Sequence, residues 1–143
     1  MARRAELNIL LRTLAGLPAI GFVVVGLAWW IAPQFAGTHL RMDLLGGAGL
    51  STQIADLAAF FLTLGGTILI GFVSGNRIWF YPPIMLLGFA IVGRLIAWLA
   101  HGAELTIDMI AAEAVVIAIL VFNVRAFAKQ KACSADALDC AET

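Results

Sequence analysis

The stretch FAIVGRLIAWLAHG, residues 89–102, is apolar along most of its length and yet holds Arg94 in its interior. A charge at the centre of a membrane-crossing helix costs at least about 2.5 kcal/mol, so such an arginine calls for a partner. Composition decides what surrounds it. The 143-residue chain is 62% apolar and 13% charged, whereas an ordinary soluble domain is roughly 45–50% apolar and 25% charged. It reads as an integral membrane protein. Nine basic and nine acidic residues cancel, so no net field attracts nucleic acid and no nucleic-acid partner is expected.

Working outward from Arg94, four apolar segments are each long enough for the roughly 30 Å hydrocarbon layer, which takes about 20 helical residues. They run over residues 10–31, 51–73, 82–101 and 106–127. The fold class expected is all-α, a four-helix membrane bundle forming one domain over residues 1–131, with a polar tail over 132–143. The first segment exceeds the apolar core of a signal peptide and ends in Trp29-Trp30-Ile31-Ala32-Pro33 rather than a small-residue cleavage site, so it is expected to persist. Ser51 or Thr52 can cap the second helix, Pro82-Pro83 suits the first turn of the third, Gly102 suits its end, and Thr106 can cap the fourth.

Basic residues set the orientation. Arg3, Arg4 and Arg12 precede the first span, Arg77 separates the second from the third, and Arg125, Lys129 and Lys131 end the fourth; Arg41 alone lies on the other side. Both termini are therefore expected in the cytoplasm and the chain in the inner membrane. With a rise of about 1.5 Å per residue, Arg94 and Glu113 each lie roughly 10 Å below the outer helix ends, and Asp56 roughly 7–8 Å below the start of its own. The expected site is an outward polar cluster of Arg94, Glu113 and Asp56. Gln53, Trp98 and His101 join it by helical spacing, and Phe60 joins Trp98 as a wall.

Each of these residues also has a purely structural reading. Asp56 can serve as a first-turn carboxylate on the helix dipole, and His101 as a helix-end cation. Arg94 with Glu113 can serve as a lock between adjacent helices. The four tryptophans, Trp29, Trp30, Trp79 and Trp98, are expected mostly as interfacial anchors, with Trp98 the deepest. No metal or other cofactor is expected: His39 and His101 lack a haem-attachment motif, and Cys133 and Cys140 lack zinc or redox spacing and are expected as free thiols. Gly16, Gly21, Gly26, Gly65, Gly66, Gly71, Gly75, Gly88 and Gly93 permit close helix approach, within the bundle or between copies in a homo-oligomer.

The LGG late in the second helix, GRLIAWLAHG in the third and the lone glutamate of DMIAAEAVVIAIL in the fourth together resemble small bacterial four-helix membrane proteins near the DoxX-like families. The resemblance covers roughly residues 10–127. It implies that Arg94, Gly102 and Glu113 are family features. On the second helix the chain departs from the pattern, with QIADLAAFF where a glutamate and an arginine near an aromatic-Gly-Gly stretch would be expected, so the role of Gln53 and Asp56 does not carry over. The resemblance implies a fold and no activity.

Three function classes fit these residues. The first is a binding protein whose outward pocket takes a lipid, quinone or other lipophilic molecule. In the second, a cofactor-independent isomerase or hydrolase, Glu113 and Asp56 divide acid and base roles while Arg94 stabilises an oxyanion. The third is a structural subunit of a membrane complex. Ion transport is disfavoured, because Thr67 and Asn123 are the notable polar residues of the inner half and form no charged relay.

Overall fold

The computed structural model describes the backbone of residues 2–139 and the side chains of residues 16–128. All regular structure there is helical: α1 (Ala2–Ile31), α2 (Pro33–His39), α3 (Gly47–Ser74), a 3-10 turn (Arg77–Phe80), α4 (Tyr81–His101) and α5 (Ile107–Asp139). Among the described residues, the segments Gly47–Ser74, Arg77–His101 and Ile107–Ala128 are long and apolar enough to cross a membrane. The described apolar part of α1 is shorter, Gly16–Ile31.

Helix ends follow local chemistry in part. Gly102 stops α4 in the left-handed region at φ 65°, which glycine adopts without steric cost. Asn76 caps the 3-10 turn by accepting the Ile78 N–H. Contrary to expectation, α3 starts four residues before Ser51, with Gly46 at its cap; Thr52 hydroxyl bonds back to the Ala48 carbonyl instead. The segment after α1 contains the short helix α2, started by Pro33. The tail expected over 132–143 continues α5 as far as Asp139; the Cys133 side chain and all of Cys140 lie outside the described residues.

Packing brings α1 against α3 and α5, and α4 against the same two. At the end carrying the 3-10 turn, one core joins all of them: Ala19, Leu64, Ile68, Phe80, Leu87 and Leu120 are buried together. Gly65 makes the α1–α3 contact close, since a Cβ there would stand 2.5 Å from the Ala19 carbonyl oxygen. Gly16, Gly21, Gly66, Gly88 and Gly93 have no such neighbour.

At the opposite end, beside α2, the core is different. Trp29, Ala36 and Ala58 are buried there, packed with residues of α1, α2, α3 and the loop after α2. Trp29, expected at an interface, is fully enclosed, because α2 folds back over it. No residue of α4 beyond Leu87, and none of α5 before Leu120, is buried. The α4–α5 hairpin is thus tightly held at the 3-10 end and loosely at the α2 end.

Candidate functional site

The five-residue connection between α4 and α5 turns the chain back on itself, so residues equally far from the turn come to the same height. Arg94 and Glu113 are such a pair. Arg94 Nε donates to Glu113 Oε1 at 3.1 Å, and Arg94 Nη2 stands 3.1 Å from the same oxygen. Arg94 Nη1 donates to the Thr106 hydroxyl at 3.3 Å. The glutamate side chain is 14% exposed and the arginine 33%.

This is not the side-by-side fork in which each carboxylate oxygen takes its own guanidinium N–H. Nε and Nη2 both lie against Oε1, with the hydrogen bond from Nε, and Oε2 is buried without a hydrogen-bond partner. A buried acceptor without a donor costs about 1–3 kcal/mol. On the arginine side, two of five N–H groups make hydrogen bonds, one from Nε and one from Nη1, while Nη2 is held in ion-pair contact. The pair is neutral as a whole, and it offers one unpartnered acceptor and further guanidinium donors within an apolar layer.

The other expected site residues have different surroundings. Asp56 is exposed on α3 and makes no ion pair among the described residues. The earlier start of α3 puts it nine residues into the helix, roughly 13 Å from its end, deeper than expected. It forms no ion pair with Arg94, although α3 packs beside α4. Gln53 is buried, and its amide is committed to the α2–α3 loop: Oε1 accepts the Leu45 N–H at 3.0 Å and Nε2 donates to the Asp43 carbonyl at 3.1 Å. Phe60 packs onto the common core, edge-to-face with Phe61. Trp98 is 44% exposed, one turn beyond Arg94 on the same face, and His101 is exposed as the last residue of α4.

Two residues that spacing alone did not single out complete this end of the molecule. Arg41 Nη2 donates to Asp108 Oδ2 at 2.9 Å, tying the loop after α2 to the first turn of α5. Arg41 occupies the left-handed position that ends α2, at φ 55°. Around it the Arg41 N–H meets the Thr38 carbonyl and the Met42 N–H the Gly37 carbonyl, the paired bonds of a Schellman ending, where glycine is usual. The signal available in the sequence was Arg41 as the lone outward basic residue. Among the described residues, no group of three or more His, Cys, Asp or Glu side chains could hold a metal ion. Comparison with known proteins finds no matching family model, no matching curated protein and no matching solved structure.

Proposed function

We propose that this chain is a four-span protein of the inner membrane, a four-helix bundle with both termini in the cytoplasm, akin to the small proteins near the DoxX-like families. Its α2 end faces outward and binds a lipid, quinone or other lipophilic molecule at Arg94 and Glu113. The observation that carries this reading is the half-used ion pair: a guanidinium with free donors and a carboxylate with a free oxygen, set where the α4–α5 hairpin buries none of its residues. Convergent polar groups in apolar surroundings are the usual make-up of a small-molecule site. Trp98 supplies an aromatic wall beside them.

The acid–base reading, with Glu113 and Asp56 sharing roles, has less support, since the two carboxylates stand on helices that are not packed neighbours and Asp56 is exposed. The test is native mass spectrometry of protein gently extracted from its own membranes, with identification of any retained small molecule. Wild type is compared with Arg94→Ala and with the double variant Arg94→Leu, Glu113→Leu, which removes both charges together. A defined molecule retained by wild type and lost from the folded double variant is the expected result. An empty wild-type protein overturns the proposal.

A further inference from the structure

Resting on that reading, we infer the ligand class: a neutral lipophile that presents a hydroxyl beside a carbonyl, as an acylglycerol with a free hydroxyl does. Three observations carry it. First, Arg94 and Glu113 cancel each other, and among the described residues no third charged side chain forms an ion pair with either; an anionic or cationic headgroup would bring an uncompensated charge into a low-dielectric layer. Second, Glu113 Oε2 is a buried acceptor without a donor, so the ligand must supply an O–H or N–H. Third, the Arg94 side chain is one-third exposed, so its N–H groups not bound to Glu113 or Thr106 are open to an acceptor.

A hydroxyl adjacent to an ester carbonyl meets both needs at once and leaves the site neutral. The terminal torsion of a carboxylate is broad, so a modest rotation of Glu113 brings Oε2 towards the incoming hydroxyl, and the partly exposed Arg94 side chain follows Oε1 as it moves. The apolar body then lies along the unburied halves of α4 and α5, against Leu95, Trp98 and Val115, all exposed.

The probes are dioleoylglycerol, trioleoylglycerol and dioleoylphosphatidylglycerol, each titrated into delipidated full-length protein in detergent and read by native mass spectrometry. Wild type is expected to hold dioleoylglycerol at least about tenfold more tightly than trioleoylglycerol, which has carbonyls and no hydroxyl, because a ligand that leaves the carboxylate oxygen unmet forfeits that hydrogen bond. It is also expected to prefer dioleoylglycerol to the anionic lipid. Glu113→Gln keeps an oxygen for Arg94 but leaves the site cationic, so the preference should invert towards dioleoylphosphatidylglycerol. Equal binding of the di- and triacylglycerols, or a wild-type preference for the anionic lipid, overturns the ligand class while leaving a lipophile-binding site in place. No retained lipid of any kind overturns the site itself. The wild-type comparison is decisive even if Glu113→Gln fails to fold.

Discussion

At the scale of the residue, Arg94 and Glu113 show how a membrane helix tolerates charge. Neither group is acceptable alone in hydrocarbon, and each makes the other so. Removing one partner from a buried pair typically costs about 3–5 kcal/mol, whereas replacing both with apolar residues is often neutral or better. Arg94→Ala is therefore expected to lower unfolding stability in detergent by that amount, and the Arg94→Leu, Glu113→Leu double variant to stay within about 1 kcal/mol of wild type. Stability recovered without ligand retention would separate the site's binding role from a structural lock. If the double variant is as unstable as Arg94→Ala, the pair is holding the hairpin together. Gln53 illustrates a different outcome for a buried polar group, since the oxygen and the nitrogen of its amide are each met by loop backbone.

At the scale of the element, close packing of α1 on α3 rests on where glycine is placed rather than on how much glycine there is. The adjacent residues Gly65 and Gly66 differ completely: one faces the α1 backbone and the other open space. Gly65→Ala must push α1 away from its Ala19 carbonyl and is expected to cost about 1–3 kcal/mol by overpacking. Gly66→Ala removes a flexible residue from a helix at no steric cost, and is expected to be neutral or stabilising by up to about 1 kcal/mol. Thermal unfolding of the two variants side by side checks both; equal effects would mean that α1 does not approach α3 at Gly65.

At the scale of the whole molecule, the two ends of the helix assembly are held differently. The 3-10 end has a shared core from every neighbouring helix, while at the α2 end the α4–α5 hairpin is tied to the rest through the exposed Arg41–Asp108 pair. Exposed pairs contribute at most about 1 kcal/mol and are screened by salt. Asp108→Asn is thus expected to lower stability by less than about 1 kcal/mol, with the difference shrinking at high salt. Arg41→Gly also loses the pair, but it places glycine in the left-handed position, relieving a cost of roughly 1 kcal/mol, so its net change should be close to zero. A larger loss for Arg41→Gly than for Asp108→Asn would show that Arg41 does more than reach Asp108. This light fastening is what the proposed lipophile-binding role would require at that end.

Much of this was legible along the chain alone. Apolar run lengths, the Gly102 stop and the mirrored positions of Arg94 and Glu113 about a short turn are one-dimensional quantities, set by helical rise and local backbone preference. The sequence by itself determined the membrane-protein class, the approximate helices and the Arg94–Glu113 pairing. Only the tertiary structure decided the lateral arrangement: Asp56 exposed and without an ion pair among the described residues, Gln53 turned to a loop, Trp29 enclosed by α2, and Arg41 joined to Asp108. The reason is physical. In a soluble helix the polar face tells which side turns inward, but a membrane helix is apolar nearly all round, so its pattern does not fix its rotation or its neighbours. Those are settled by side-chain fit between helices, down to which of two adjacent glycines meets a backbone oxygen.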